Sequence, residues 1–186
     1  MKNLSNKVAI ITGSSSGVGA ATATLLAAQG CNVVINYNSN ADGGNAVAVE
    51  CEALGVECLV IGGNVAEDAN CLAMAAAAIE KWGRIDILVN NAGTTKFVDH
   101  SDLHGLSSDD FQHIYGVNVI GSYQMIRAVS EQMQSQEEGG AVINVASTAA
   151  VTGIGSSVAY AASKGALVTM TLSLARALGP KLRIDR

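Results

Sequence analysis

The sequence predicts an α/β fold in which a doubly wound parallel β-sheet is flanked by helices on both faces. Short apolar runs rich in Val and Ile alternate with helix-like stretches along the whole chain. Hydrophobic residues make up 49% of the composition and charged residues only 15%, which is typical of a sheet buried on both faces. Aromatic residues make up only 4%, whereas Ala and Gly are plentiful, and this composition suits close packing of helices on a sheet.

The predicted elements follow one another in strand–helix order. The predicted strands are Val8–Thr12, Asn32–Asn36, Glu57–Ile61, Asp86–Asn90, Ala141–Val145 and Leu182–Ile184. The predicted helices are Val18–Gln29, Ala41–Leu54, Glu67–Trp82, Asp109–Gln134 and Val158–Leu178. Glycines follow four helix ends, where a left-handed cap is typical, at Gly30, Gly55, Gly83 and Gly179. This order predicts right-handed βαβ units, whose binding sites lie beyond the carboxyl ends of the strands.

Length and composition narrow the classes of function. The 186 residues are expected to form a single domain, 1–186, and the net charge of −5 argues against a nucleic-acid partner. The four cysteines show no C-x-x-C spacing, so they predict free thiols rather than a zinc site. The first strand begins so early that no signal peptide is expected, and we expect a cytoplasmic protein. Polar residues and glycines interrupt the uncharged stretches 8–41 and 139–163, so no membrane span is expected.

The stretch T-G-S-S-S-G-V-G after the first strand has two interpretations. Gly13, Ser15 and Gly17 match the G-x-S-x-G elbow of a hydrolase, in which Ser15 would be the nucleophile. That chemistry needs an acid and then a histidine further along the chain. The three histidines all precede the fifth predicted strand: His100, His104 and His113. The hydrolase interpretation is therefore the weaker one.

The other interpretation is a turn that binds a dinucleotide. Gly13 permits a tight turn, Gly17 lets the main chain approach a pyrophosphate, and Gly19 lets the helix pack on the sheet. The helix amino terminus would then face the phosphates with free N–H groups, and Ser15 and Ser16 would donate hydrogen bonds to the cofactor. We favour this interpretation, although glycine-rich turns also occur for packing reasons alone.

A second group of residues suggests proton transfer. Tyr160 and Lys164 lie four residues apart at the start of a predicted helix, so their side chains share one face. An ammonium about 4 Å from a phenol, at an effective dielectric near 20, favours the ionised phenol by roughly 4 kcal/mol. Ser147, after the fifth strand, could hold a substrate oxygen beside the phenol, or could simply cap a helix. Because these residues and the glycine turn lie at the same sheet edge, we favour catalysis.

Together these motifs resemble the short-chain dehydrogenases/reductases. The matching residues, in the family's order, are Thr12–Gly19, N-N-A-G (Asn90–Gly93), Asn118 in Y-G-V-N-V, Ser147 in I-N-V-A-S, and Y-A-A-S-K (Tyr160–Lys164). The resemblance implies a Rossmann-type doubly wound parallel sheet. It also implies hydride transfer between a nicotinamide and a ketone or secondary alcohol, without a metal, as in 3-oxoacyl reductases and sugar or steroid dehydrogenases.

The resemblance also implies residue roles. Tyr160 is expected to be the proton donor and acceptor, and Lys164 to hold the nicotinamide ribose as well. Ser147 is expected to position the carbonyl, Asn118 to link Lys164 to a proton-relay water, and Asn90 to tie strand ends together. The residues expected to bind the cofactor are Gly13, Ser15, Ser16, Gly17, Val18, Gly19, Tyr37, Asn38, Ser39, Asn64, Val65, Asn91, Ala92, Gly93, Tyr160 and Lys164.

Two departures from the family pattern bear on the cofactor. No acid follows the second strand, in 36–39, to bind the ribose of NAD and repel a 2′-phosphate. We therefore expect NADP, with use of both NADP and NAD as the alternative, since no Arg or Lys is present there either. Asn64 stands where many members carry an aspartate, and its amide oxygen could still accept a bond from adenine. His100 and His104 are expected to be loop residues at the substrate mouth rather than metal ligands.

The end of the chain is a third departure. Members of the family continue beyond the sixth strand through a substrate lid and another strand, whereas this sequence ends at Arg186. We therefore expect a fold truncated on its C-terminal side. The alternative function is a scaffold that binds the cofactor without chemistry. The helices Asp109–Gln134 and Val158–Leu178 are expected to pair with a second subunit and form a homodimer or homotetramer.

Overall fold

Six parallel strands form one sheet in the computed structural model, which describes residues 4–186. The strands are β1 (Val8–Ile11), β2 (Asn32–Tyr37), β3 (Cys58–Gly62), β4 (Ile87–Asn90), β5 (Gly140–Asn144) and β6 (Leu182–Asp185). Their order across the sheet is β3-β2-β1-β4-β5-β6, and every neighbouring pair is parallel. The strand order reverses between β1 and β4, which confirms the doubly wound sheet and places a crevice beyond their carboxyl ends.

The helices are α1 (Gly17–Ala27), α2 (Ala41–Glu52), α3 (Asp68–Trp82), α4 (Ser108–Tyr115), α5 (Ser122–Ser135), α6 (Ala149–Thr152) and α7 (Val158–Leu178). The helix predicted over 109–134 is present as one continuous helical run, but a π-helical segment, Gly116–Gly121, joins α4 to α5 within it. This segment contains Asn118, whose buried side chain bonds to Thr94 and Ser163. A local widening of the helix often accompanies such a functional position, and the local sequence gives no signal for it.

The core lies on both faces of the sheet. Along β1, Val8 and Ile10 contribute to the cluster on one face, and Ala9 and Ile11 contribute to the cluster on the other. All four residues are fully buried. A strand buried on both sides explains the continuous apolar run in the sequence, and the buried strand holds the turn that follows it in a fixed position.

The predicted helix ends are mostly confirmed. Helix α7 has the predicted bounds, and it begins where the Ser157 hydroxyl accepts a bond from Tyr160 N–H at 3.3 Å. Three of the four predicted glycine caps are left-handed, at Gly30, Gly55 and Gly83. The fourth is wrong: Gly179 is extended, with φ −70° and ψ 154°, because Pro180 disfavours a helical conformation in the residue before it.

Helix α7 is the one helix in the described part of the chain that is long and apolar enough to cross a membrane, with a mean hydropathy of 1.2. It packs against β6, and it contains the buried cation Lys164. Core helices of globular proteins pass the same test of length and composition, so this helix is weak evidence for a membrane span. The expected absence of a span stays a prediction.

Candidate active site

The glycine turn after β1 leaves no room for a side chain at Gly13 or at Gly19. Gly13 has φ +62°, and its N–H donates to Asn36 Oδ1 at 3.0 Å. A Cβ built on Gly13 would lie 2.9 Å from Ala92 Cα, and one built on Gly19 would lie 2.5 Å from Asn91 Nδ2. Because real Cβ atoms do not approach other atoms so closely, this turn requires glycine at both positions.

Helix α1 begins at this turn with an open amino terminus. Ser16, its N-cap, has extended backbone angles and makes no side-chain cap bond. Gly17 has φ +59°, and a Cβ built on it would meet nothing within 4 Å. The N-caps of α2, α4 and α7, in contrast, accept bonds through their side chains. The uncapped N–H groups of α1 are therefore available to an anionic ligand.

A cavity of about 490 Å³ lies in front of this turn, within the range of small-molecule sites. It is lined by Gly13, Ser15, Ser16, Asn36, Asn38, Ser39, Asn40, Gly63, Asn64, Val65, Asn91, Ala92, Gly93, Thr94, His113 and Val117. Ten of the residues expected to bind the cofactor are therefore brought together. We call this space the dinucleotide cavity.

Six of the expected residues do not line the dinucleotide cavity: Gly17, Val18, Gly19, Tyr37, Tyr160 and Lys164. The first three form the start of α1 behind it. The Tyr37 ring packs near Gly62 and Gly44: a Cβ built on Gly62 would lie 2.9 Å from its hydroxyl, and one built on Gly44 would lie 3.2 Å from Cδ1. This position follows from the alternation of side chains along β2, which places Asn36 towards the glycine turn.

Sequence reasoning missed Asn36, Asn40, Gly63, Thr94, His113 and Val117 as lining residues. Asn36 had a signal, because an amide inside the apolar run of β2 is unusual. Its side chain is buried, accepts from Gly13 N–H, and donates to Ile61 O at 3.2 Å and Gly63 O at 3.0 Å. Asn36 therefore ties the ends of β2 and β3 to the glycine turn.

The floor of the cavity follows β4. The Thr12 hydroxyl accepts bonds from Asn91 N–H and Ala92 N–H, both at 3.0 Å. The Asn91 amide in turn donates to Thr12 O and Gly13 O at 3.0 Å. Asn90 donates to Asn144 Oδ1 at 2.9 Å, so it ties β4 to β5 as expected. This network fixes the floor relative to β1.

A second cavity, also about 490 Å³, adjoins the first. It is lined by Asn91, Gly93, Thr94, Thr95, Phe97, Val145, Ala146, Ser156, Tyr160 and Lys164. The two cavities share Asn91, Gly93 and Thr94. We call the second one the tyrosine cavity, and a ligand that fills the first can extend into it over this shared floor.

Lys164 is held beside Tyr160. Its amine donates to Val145 O at 2.7 Å and lies 5.8 Å from the centroid of the Tyr160 ring. Only 4% of Lys164 is exposed, and burial lowers the pKa of its amine. No carboxylate within residues 4–186 forms an ion pair with it. A buried cation without a counter-charge can stabilise negative charge on a neighbouring group.

The Asn118 side chain bonds to Thr94 and Ser163, whereas the Ser147 hydroxyl bonds to the start of α6. Asn118 Oδ1 accepts from Thr94 N–H at 2.8 Å, and its Nδ2 donates to Thr94 O and Ser163 Oγ at 3.0 Å. A Cβ built on Gly93 would lie 3.5 Å from Asn118 Oδ1 and 3.7 Å from Lys164 Nζ, so Gly93 stands between them. The Ser147 hydroxyl accepts from Ala149 N–H at 3.1 Å, next to α6, and does not line the tyrosine cavity.

His113 lines the dinucleotide cavity, whereas His100 and His104 line neither cavity. His100 bonds through Nε2 to Gly155 O at 3.1 Å, and no hydrogen bond of the His104 ring is found among the described residues. Within residues 4–186, no three His, Cys, Asp or Glu side chains come close enough together to hold a metal ion. All four cysteines are buried free thiols.

Comparison with known proteins agrees with this geometry. The family model for short chain dehydrogenase matches residues 7–185. The chain is 38% identical to 3-hydroxyacyl-CoA dehydrogenase type-2 of Bos taurus, over 96% of the chain and 70% of that protein. It is 34% identical to the 3-oxoacyl-[acyl-carrier-protein] reductase of Synechocystis, over 97% of the chain and 72% of that protein.

Solved structures show the same likeness. A Burkholderia xenovorans protein assigned to the short-chain dehydrogenases/reductases has a TM-score of 0.93 at 42% identity, over 96% of this chain and 74% of its own. NAD⁺-bound xylitol dehydrogenase has a TM-score of 0.90 at 30% identity, over 98% of this chain and 69% of its own. The chain therefore belongs to the short-chain dehydrogenase family of NAD(P)-dependent oxidoreductases.

Proposed function

We propose that this protein transfers a hydride between NAD(P)(H) and a ketone or secondary alcohol, with Tyr160 as the proton donor and acceptor. The observation that carries the proposal is the buried Lys164 amine beside the Tyr160 ring, in a cavity that shares its floor with the dinucleotide cavity. When bound, the nicotinamide supplies or accepts the hydride.

The residues present fit such a cofactor. The turn at Gly13 excludes side chains, and the uncapped start of α1 offers N–H groups to a pyrophosphate. Ser15 and Ser16 would donate to the phosphates, whereas Asn64 and Val65 would contact the adenine. Ala92 and Gly93 would leave room for the adenine-side ribose, and Lys164 would hold the nicotinamide ribose.

For the choice of cofactor we propose NADP, with NAD accepted as well. The lining of the dinucleotide cavity contains no Asp, Glu, Lys or Arg, so no fixed charge repels or binds a 2′-phosphate. The polar groups at that end, from Asn38, Ser39 and Asn40, can donate neutral hydrogen bonds. We expect kcat/KM for NADPH and NADH to differ by about tenfold or less, equivalent to about 1.4 kcal/mol. A hundredfold preference for NADH would contradict NADP as the cofactor.

The proton path begins at the Tyr160 hydroxyl. The Lys164 ammonium, held by Val145 O, stabilises the ionised phenol after Tyr160 has protonated the substrate oxygen. Ser147 is proposed to position the carbonyl with its O–H, which is still available while its oxygen accepts from Ala149 N–H. Asn118 is proposed to link Lys164 to a relay water through the second lone pair of Oδ1, since the first accepts from Thr94 N–H.

Replacement of Tyr160 tests this role. We expect Tyr160→Phe to lower kcat for NADPH-dependent reduction of ketones by roughly 10²–10⁴-fold, and to change the dissociation constant of NADPH by far less. Tyr123→Phe, at a half-exposed position on α5, is the matched control and should keep wild-type rates. Wild-type rates in Tyr160→Phe would overturn the role of Tyr160. Tight cofactor binding with no turnover by the wild type would favour the scaffold instead.

We also propose that the protein pairs with further copies through helices 109–134 and 158–178. Apolar side chains on these helices are exposed, including Ile120 at 51%, Leu172 at 47% and Tyr123 at 46%. Contiguous exposed apolar surface on helices is typical of subunit interfaces. Sedimentation equilibrium should give the mass of a dimer or tetramer, and a monomer at micromolar concentration would contradict this proposal.

A further inference from the structure

The most exposed large hydrophobic side chains gather in two segments. Phe97 and Val151 are 84% exposed, Leu103 is 82% exposed and Ile154 is 78% exposed, above every other exposed large hydrophobic residue in 4–186. Two of these residues come from the segment 94–106 and two from the segment 148–157. We call the four residues the apolar rim. Exposed apolar residues that cluster, rather than scatter, mark a binding surface.

Hydrogen bonds tie the two segments together. Val98 N–H donates to Ser156 O at 2.9 Å, and His100 donates to Gly155 O at 3.1 Å. The hydroxyls of Thr95 and Ser156 bond to each other at 2.5 Å. These bonds hold the two segments together beside Phe97 and Ile154, so a ligand can contact both of these side chains.

The apolar rim is continuous with the tyrosine cavity. Phe97 lines that cavity together with Tyr160. A Cβ built on Gly155, the residue after Ile154, would lie 3.3 Å from Tyr160 Cδ1. A substrate whose carbonyl reaches the Tyr160 hydroxyl would therefore extend its remaining carbon atoms over the rim.

The charged side chains beside the rim, Asp99, Asp102 and Lys96, have partners within the protein. Asp99 accepts bonds from Ser101 N–H and Oγ, and Asp102 accepts from His104 N–H. Lys96 pairs with Asp110 at 2.8 Å. A site built for a sugar or polyol would aim several such groups at the substrate hydroxyls. The apolar rim instead exposes hydrocarbon side chains to a substrate.

We infer that the substrate is a ketone, or the matching secondary alcohol, with an unbranched apolar chain that lies on the apolar rim. This inference rests on the proposed oxidoreductase function and adds the substrate class. The carbonyl end is placed at Tyr160, and the chain runs outward past Phe97 and Ile154. Each methylene buried in this way raises kcat/KM by roughly threefold.

The test measures NADPH oxidation by the full chain with methyl ketones of four to ten carbons and with ketoses of matched length. We expect kcat/KM to rise roughly threefold per methylene over the first few additions, and the ketoses to be poor substrates. Phe97→Ser and Ile154→Ser should each flatten this dependence on length. Leu25→Ser, which is 69% exposed on α1, is the control and should leave the dependence unchanged.

The outcomes separate the two proposals. Turnover without dependence on chain length, or a preference for ketoses, would overturn this inference and leave the oxidoreductase function standing. A change in sedimentation mass in Phe97→Ser, with the length dependence intact, would mean that a second copy covers the rim and would also overturn it. Turnover of no ketone at all would overturn the proposed function, and this inference with it.

Discussion

At the amino end of the sheet, Asp86 accepts bonds from Val8 N–H at 2.9 Å and from Arg84 at 2.6 and 2.8 Å, and pairs with Lys7 at 3.2 Å. Lys7 also pairs with Glu138. At the carboxyl end, Lys164 is buried, donates a hydrogen bond to the Val145 carbonyl, and forms no ion pair with a carboxylate of the described residues. The same sheet thus has one end where charges neutralise one another and one end where a charge lacks a counter-ion.

The two ends differ because their charges have different partners. Burial raises the pKa of Asp86, but the bonds from Arg84 and Val8 N–H outweigh that effect and leave the pKa below its usual value. For Lys164, burial alone lowers the pKa and no carboxylate opposes it. The amino end is therefore stabilised by its charges in the folded protein. The carboxyl end keeps its charge free for a ligand, at a cost in stability.

The largest expected effect is on Lys164. We expect Lys164→Met to lower kcat/KM by about 10³-fold, since the phenolate of Tyr160 loses its stabilising charge. The melting temperature at pH 7 should hold or rise, because the buried ammonium is unfavourable. Wild-type stability should increase as the pH rises from the lowered pKa of Lys164 towards 10.5, and the variant should lack this increase.

Lys81→Met is the matched control, because Lys81 also donates to a main-chain carbonyl, that of Cys58, at 3.1 Å. It lies on α3 over the Trp82 ring, away from both cavities. Its replacement should keep the wild-type rate. A fully active Lys164→Met protein would remove the functional contrast between the two ends of the sheet.

The next effect concerns the shape of the dinucleotide cavity. A Cβ on Gly19 would lie 2.5 Å from Asn91 Nδ2 and 2.7 Å from Gly13 O, so Gly19→Ala must displace the turn. We expect NADPH binding, measured by fluorescence titration, to weaken by about 30-fold or more, equivalent to about 2 kcal/mol. Gly55→Ala is the control: Gly55 has φ +89° and open space around it, so only stability should fall. Equal NADPH affinity in both variants would contradict the assignment of this turn.

The sequence predicted the parts of this molecule that local chemistry determines. The β1 run and the α7 bounds follow from apolar patterning. The π-helical segment around Asn118 does not, and the partners of its side chain, Thr94 and Ser163, lie far away in the sequence.

The candidate site also has parts that the sequence predicted and parts that it did not. Motif spacing identified the glycine turn, Tyr160 and Lys164, which the structure brings to one edge of the sheet. Spacing could not place Tyr37, because side-chain alternation along β2 decides which residue faces the cavity. The contribution of Asn36 became evident only from its bonds to Ile61 O and Gly63 O, which tie β2 to the end of β3.

A smaller effect is expected at the amino end of the sheet. Asp86→Asn should lower the free energy of unfolding by about 2 kcal/mol at pH 7 without changing kcat, because it removes the charge that Lys7 and Arg84 share. Since folding lowers the pKa of Asp86, its contribution is present above pH 3.8 and is lost as the pH falls through the lowered pKa. Chemical denaturation at pH 7 and pH 3 should show the difference between variant and wild type shrinking.

The control for this prediction is an exposed ion pair. Asp68 pairs with Arg127 on the surface of α3, with side-chain exposures of 41% and 51%. Asp68→Asn should change stability by about 0.5 kcal/mol or less. A loss in Asp68→Asn as large as in Asp86→Asn would mean that burial at the amino end of the sheet adds nothing to the strength of its ion pairs.

The smallest expected effect is on Thr12, at the carboxyl end of the sheet, where one substitution should lower both stability and NADPH affinity. Thr12→Val removes the hydroxyl that accepts from Asn91 N–H and Ala92 N–H. Asn91 N–H keeps a second acceptor, Val89 O, at 3.0 Å. Ala92 faces a cavity that water can enter, so water can replace the lost acceptor of its N–H. We therefore expect a loss of about 1 kcal/mol in stability and a weakening of NADPH binding by a few fold, since the shared floor loosens. Thr22→Val, whose exposed hydroxyl bonds within α1 at 2.7 Å, should change neither. A loss of stability in Thr12→Val with unchanged NADPH affinity would show that the floor supports the fold alone, and the contrast between the two ends would then rest on Lys164 and the glycine turn.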